Sequence, residues 1–323
     1  MDSEALRARR EHRRRVLRRR RLAVAALAAA AALVVAIVVA AGGSGGSSSS
    51  SHGASGSAGA APRGAPHAGK RSSGPAAARA SGRPGTASVP ILMYHVIAAP
   101  PAGAPFPGLY VPPSEFAAQM QALKNAGWHA VTLDQLASYW TDGTLLGAGR
   151  PIVLTFDNGY QSQYTQALPI LQRLGWVADE NIQLTGLPPS QGGLGEAEIR
   201  GLVAAGWELD TQGFSHADLI TLSAEELHYQ VAVARSTIQK RFHVPVNWFC
   251  YPSGHYDATV IAAVKAAGYA GSTTVVPGWA HRSDDPYRLH RLRVLGGTTA
   301  QGLLEQVGST REAPPSPPSY NGA

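Results

Sequence analysis

From Val89 to about Arg311 the chain alternates short β-rich runs with helical stretches, and this alternation limits the fold more than any other feature of the sequence. Strands are expected at 89–97, 151–157, near 182–185, and at 207–212, 246–251, 269–275 and 287–294. Helices are expected at 114–126, 161–174, 196–205, 224–241 and 256–267. Ser114 and Ser223 stand where N-caps belong, Gly127 and Gly206 where helices stop, and Pro169 where the second helix should bend. The run Pro151–Asp157 is nearly all apolar, as in a strand covered on both faces. A βαβα order predicts an α/β fold with parallel strands, and seven or so strands in about 220 residues predict one barrel-like sheet.

In such architectures reactive groups gather at the carboxyl ends of the strands. The strand ends read Tyr94-His95, Asp157-Asn158-Gly159, Asp210-Thr211-Gln212 and Tyr251-Pro252-Ser253-Gly254-His255, and His216 follows the third of them. Any one of these residues would pass as a cap or a satisfied loop histidine, but four polar strand ends together form the pattern of a site. Charge excludes one class of partner. The chain carries a net +7, but residues 89–323 hold 13 Lys/Arg against 18 Asp/Glu. The folded part therefore offers no overall cationic footprint to a nucleic acid. The single cysteine, Cys250, excludes an intrachain disulfide and a multi-cysteine zinc site, and reads as a packed, inert thiol.

The basic residues lie before the folded part. Residues 1–21 hold ten arginines and read as a cytoplasmic tail. Residues 22–41 are 20 apolar residues in a row, long enough to cross a hydrocarbon core of roughly 30 Å. The arginine block then predicts a single-pass signal anchor with the N-terminus in the cytoplasm and the rest outside. Secretion after signal cleavage is the alternative, although a cleaved signal has a shorter apolar region, about 7–15 residues. Residues 42–88 are Gly, Ser, Ala and Pro with scattered cations, a composition that predicts a disordered tether. Residues 312–323 predict a disordered tail on the same grounds.

The stretches VPILMYHV (89–96), VLTFDNGY (153–160), WELDTQGFSHADL (207–219), FCYPSGHYD (249–257) and LHRLRV (289–294) carry a family resemblance. Residues 89–311 resemble a polysaccharide deacetylase of the NodB-homology, carbohydrate esterase type, with the shared core at about 150–323. The resemblance implies a distorted (β/α) barrel of about seven strands and metal-assisted removal of acetyl groups from N-acetylated sugars. It also implies that Asp157 is the catalytic base. In the family's Asp-His-His metal set, the positions fall on Asn158, Gln212 and His216, so one ligand in three is unchanged. The arginine that often supports the base falls on Cys250, and the last histidine motif is absent.

Zinc prefers imidazole nitrogen and carboxylate oxygen, so two neutral amides weaken a site for zinc or another divalent metal. Period-two alternation points Asp210 to the same side as Gln212, as a replacement ligand. His255 is a second candidate for support of the site. His95 is expected as the general acid, and Arg291 or Arg293 as the support of Asp157, with one of the two facing inward. The turn Tyr251, Ser253 and Gly254 is expected to contact substrate, with a backbone N–H near Ser253 at the oxyanion. Trp279 is expected to stack on sugar.

The function these features predict is a membrane-anchored, extracytoplasmic N-deacetylase acting on a surface polysaccharide or peptidoglycan. A glycan-binding pseudoenzyme on the same fold is the alternative. A barrel hydrolase with another carbon–nitrogen substrate is the third reading.

Overall fold

The computed structural model describes residues 82–185 and 192–322. The arginine tail, the expected membrane helix 22–41 and the tether up to residue 81 lie outside the described residues. Among the described residues no helix is long and apolar enough to cross a membrane.

The elements follow in chain order as β1 (Val89–Tyr94), α1 (Pro113–Asn125), β2 (Trp128–Val131), α2 (Leu133–Asp142) and β3 (Arg150–Asn158). A π-helical turn, Gln163–Ala167, leads into α3 (Leu168–Leu174), then β4 (Asp179–Ile182), α4 (Glu196–Ala204) and β5 (Glu208–Thr211). Next, α5 (Ala224–His228) runs through a second π turn, Tyr229–Val233, into α6 (Ala234–Phe242). The chain ends with β6 (Trp248–Cys250), α7 (Ala258–Ala266), β7 (Gly271–Thr273), β8 (Trp279–Ala280), β9 (Leu292–Arg293) and α8 (Ala300–Ser309).

The strands are ordered β7-β6-β5-β4-β3-β1-β8, with β2 beside β3 and β9 beside β1. All pairings are parallel except that of β8 with β1. The sheet curls. Leu289 bonds to β7 and its continuation, accepting from the Thr274 N–H and donating to the Ser272 carbonyl. Three residues on, Leu292 and Arg293 pair with Leu92 and Met93 of β1. One short segment thus touches both edges of the curled sheet. This is the barrel-like parallel sheet expected from the alternation, distorted as the family resemblance implies.

Alternation along β3 explains the two faces. Leu154 and Phe156 face the helices and join a buried cluster with Tyr94, Phe116 and Trp207, the Phe156 and Trp207 rings stacking at 5.0 Å. Thr155 and Asp157 face inward, where they meet polar side chains. Burial of the outer face supplies the driving force, about 25 cal/mol per Å² of apolar area, and the polar inside positions the site.

Several elements differ from the sequence expectations. β2 and α2 are additional, and α2 carries its own signal: the Thr132 hydroxyl accepts from the Gln135 N–H while the Gln135 side chain accepts from the Thr132 N–H. The fourth strand lies at 179–182, earlier than expected, because its polar run Asp-Glu-Asn is buried rather than exposed. The expected bend at Pro169 is a π turn just before it, and Pro169 sits in the first turn of α3, where its missing N–H costs nothing. The helix at 224–241 begins at the expected Ser223 cap but is broken by the second π turn. α1 begins at Pro113, with Pro112 rather than Ser114 as its cap.

The C-terminal tail lies on the domain. Tyr320 exchanges backbone bonds with Tyr256, while the carbonyls of Pro314, Ser316 and Pro317 meet His290, Arg288 and the Tyr256 hydroxyl. Proline has no N–H to satisfy, so the proline-rich part of the tail docks through carbonyls, and Tyr320 adds an N–H donor.

Candidate active site

The carboxyl ends of β1, β3, β5, β6 and β9 converge on a cavity of about 370 Å³. It is lined by His95, Asp157, Asn158, Gln212, His216, Tyr251, Ser253, Gly254, Arg291 and Arg293, all of them read from the sequence as site residues, and also by Phe106 and Tyr160. Four non-glycine residues among those described have a left-handed backbone: Asn158 (φ 83°), His216 (φ 51°), Ser253 (φ 56°) and His243 (φ 58°). The first three line this cavity. Such conformations cost energy and cluster at functional sites. Gly254 is required in its turn, at φ 76°, because a Cβ there would stand 2.3 Å from a Val275 methyl.

Asp157 is the fixed point of the site. Its Oδ1 accepts from Arg291 Nη1 at 2.7 Å and from Asn181 Nδ2 at 2.9 Å, and its Oδ2 accepts from Arg291 Nη2 at 2.9 Å. Arg291 also donates through Nε to the Thr274 carbonyl, through Nη1 to Thr155 Oγ1 and through Nη2 to Cys250 Sγ. Burial alone would raise the Asp157 pKa, but the Arg291 charge, reinforced by His95 and by the hydrogen bonds from Arg291 and Asn181, holds it at about 2. Arg291 therefore supports Asp157, and Cys250 stands beside the pair with its thiol pushed up to about 12, chiefly by burial. Arg293 lines the same cavity. The expectation that only one of the two arginines faces inward is corrected: residues two apart on a strand share a face.

His95 Nε2 lies 4.0 Å from Asp157 Oδ2, too far for a hydrogen bond, and its buried Nδ1 has no partner among the described residues. Burial, with Arg291, Arg293 and His216 pushing the same way, lowers its pKa to about 4 against the pull of Asp157. His95 is thus a neutral imidazole near pH 7, a proton acceptor before it can be the expected acid. Burial also lowers the His216 pKa.

Two buried glutamines hold the loops that carry these groups. Gln163, in the first π turn, donates through Nε2 to the backbone carbonyls of both His95 and Asp157, each at 2.9 Å. Gln230, in the second, accepts from the N–H groups of Phe214 and Ser215, just before His216. π turns often occur where a side chain must be re-aimed at a functional site. No sequence motif pointed to Gln163, Gln230 or Phe106. Asn181 lay within a polar run on a strand, a signal that was there to read.

Three expected site residues, Trp279, Asp210 and His255, are placed otherwise. Trp279 is only 5% exposed, its indole N–H bonded to the Val307 carbonyl, so it is a core residue rather than a sugar platform. Asp210 does not line the cavity; β5 ends at Thr211, so period-two alternation does not extend to Gln212. His255 turns to Asp218, at 3.0 Å, after the left-handed pair Ser253-Gly254 redirects the chain. Tyr251 does line the cavity, but its hydroxyl is bonded to the Tyr287 carbonyl. The Gly254 N–H is likewise taken, by the Tyr251 carbonyl, which leaves Ser253 as the turn residue for the oxyanion role.

The fold is a curled (β/α) barrel with a polar cavity at the carboxyl ends of its strands. Residues 147–272 match the family model described as polysaccharide deacetylase. YxkH of Bacillus subtilis, provisionally named a polysaccharide deacetylase, is 29% identical over 226 residues, which cover 70% of this chain and 78% of that one. A solved polysaccharide deacetylase from Bacillus cereus superposes with a TM-score of 0.61 at 25% identity, covering 69% of each chain. The Streptococcus pyogenes deacetylase PplD, solved with acetate, gives a TM-score of 0.64 at 24% identity, covering 71% of this chain and all of that one. Residues 147–272 are thus similar to the polysaccharide deacetylase family, and Asn158, Gln212 and His216 line the cavity beside Asp157.

Deacetylases of this type are typically metal-dependent, and the cavity can be tested for that role on its donors. Both Asp157 oxygens are engaged by Arg291. Gln212 Oε1 is buried without a partner, but it is a neutral donor, as is Asn158. His216 is the one remaining family ligand. With no free carboxylate and with Arg293 on the wall, these residues do not fit zinc. Among the described residues, one group of acids stands close enough to hold a cation: Asp179, Glu208 and Asp210, with ligand oxygens within 4.8 Å of one another. The group sits where β4 and β5 run side by side, and none of its three residues lines the cavity. There Asp179 accepts from the Leu133 N–H and Glu208 from the Asp134 N–H, so both cap the positive end of α2.

Proposed function

We propose that this protein is a carbohydrate N-deacetylase that hydrolyses the acetamide of an N-acetylated surface or wall glycan, held outside the membrane by residues 22–41. The observation that carries the reading is the Asp157–Arg291 pair beside two neutral histidines in one cavity: a proton acceptor, His95, stands next to an ionised carboxylate that an arginine holds in place. In this reading His95 takes a proton from water, and the water oxygen bonds to the acetyl carbon. The turn at Ser253 faces the carbonyl oxygen as it becomes negative. The imidazolium then returns the proton to the amine nitrogen, the C–N bond breaks, and acetate and the free amino sugar leave. Asp157 stays ionised and favours the transient imidazolium 4.0 Å away.

The full arrangement of bonds to Asp157 favours a second reading, glycan binding without turnover, because a carboxylate so fully engaged is a poor base. One experiment decides between them: acetate release from chitin oligomers and peptidoglycan by the full-length protein, before and after chelation. Acetate release that survives chelation and is lost in His95→Gln and Asp157→Asn supports the deacetylase. Glycan binding with no acetate released makes the protein a binding module.

A further inference from the structure

The charge on the cavity wall has a sign, and it is positive. Asp157 and Arg291 cancel each other within a bidentate pair. Asn158, Gln212 and Ser253 are neutral. Arg293 remains. It lies on β9 two residues beyond Arg291, lines the cavity, and is exposed. No acidic side chain pairs with it among the described residues; the one side-chain bond at this residue is from Gln306 to its backbone carbonyl. Its guanidinium is close enough to His95 to disfavour a proton there. General basicity does not explain it, since residues 89–323 carry more acids than bases.

A lone arginine in an otherwise neutral cavity repels a metal cation and recruits an anion. Arginine's planar fork suits a carboxylate in particular. Phe106 lines the same cavity and is 68% exposed, the most exposed large apolar side chain among the described residues. An exposed ring of this kind gives a flat apolar surface to the C–H face of a sugar. Cation, ring and the Asp157–His95 group thus line one cavity.

We infer that the cavity is built for an acidic N-acetylated glycan, one in which a carboxylate stands next to the N-acetyl sugar, with Arg293 binding the carboxylate and Phe106 the sugar face. The carboxylate could belong to a uronic acid or to a lactyl ether; the chemistry is the same and the test separates the sources. This inference rests on the glycan reading above.

The test is a binding titration of the full-length protein with three probes at low and high salt: chitohexaose (neutral), a hyaluronan hexasaccharide (uronate) and peptide-free peptidoglycan strands (lactyl). The expected result is about tenfold tighter binding of at least one acidic probe than of chitohexaose, an advantage that shrinks as salt screens the charge. Arg293→Gln should remove the advantage, so that acidic and neutral probes bind alike, and Arg293→Lys should restore part of it. Phe106→Ala should weaken all three probes alike. Equal affinity for neutral and acidic probes in the wild type, or an advantage that persists in Arg293→Gln, overturns the inference and leaves the glycan reading standing. Failure to bind any of the three overturns both.

Discussion

Replacing Arg291 by methionine keeps most of the buried volume and removes the charge that Asp157 depends on. The structure sets the size of the effect. Asp157 is held at about 2, against 3.8 for a free aspartate. Two pKa units correspond to roughly 2.5 kcal/mol of stabilisation near neutral pH. Because the folded pKa is the lower one, that contribution is present above about pH 4 and lost as pH falls through 2. In Arg291→Met the carboxylate keeps Asn181 and the Cys250 thiol but no cation. Leaving a buried charge unpaired costs about 3–5 kcal/mol. Its pKa must then rise above 3.8, and the sign of its pH dependence reverses. The assay is urea unfolding followed by tryptophan fluorescence from pH 3 to 8. The midpoint of the variant should fall by roughly 1–2 M at neutral pH, and the gap to wild type should narrow on acidification as Asp157 takes a proton. The double variant Asp157→Asn/Arg291→Met should recover part of the loss at pH 7. A gap that stays constant across the pH range would show that Arg291 acts through packing rather than charge, and the argument would fail.

Other outcomes are expected on the same physical grounds. Gln163→Leu leaves the carbonyls of His95 and Asp157 without their donor and should cost about 1–3 kcal/mol in thermal unfolding; acetate release should drop with it, and an unchanged melting temperature would refute the clamp. Burial, with Asp134 beside it, pushes Glu208 up to about 7, and burial also raises Asp179 and Asp210. The folded state therefore holds protons that the unfolded state releases, so stability from this cluster is full below about pH 4.5 and fades as pH rises through 7. Glu208→Gln should flatten that slope in a pH series of melting curves. Trp279→Ala should cost about 3–5 kcal/mol as a core truncation and leave chitohexaose affinity, measured by calorimetry, unchanged.

The strand ends were legible because the bodies of the strands are apolar and polar residues stand out against them; Asp157, His216 and the Ser253-Gly254 turn were read this way and converge in the cavity. The fourth strand was harder. Asp179 and Asn181 are buried on the side of the strand that faces a polar barrel interior, and Glu180 is buried on the opposite side; local hydrophobicity carries no trace of either. Arg291 was legible as a residue type but not as a pairing, since the contact with Asp157 spans 134 positions of sequence. The tail was misread for a different reason. Composition measures how much apolar surface a segment can bury, whereas this one docks by offering carbonyls to Arg288, His290 and Tyr256.

The segment that links the two edges of the sheet, Leu289 to Arg293, also carries both arginines of the cavity. Fraying of that seam and loss of the site are therefore one event, not two. Opening it would withdraw Arg291 from Asp157, so the seam is held shut by a buried ion pair as well as by its backbone bonds. Amide hydrogens of the segment should exchange only through that concerted opening, and a bound acidic glycan, by holding Arg293, should slow their exchange in proportion to its occupancy. Ligand affinity and barrel integrity would then rise and fall together.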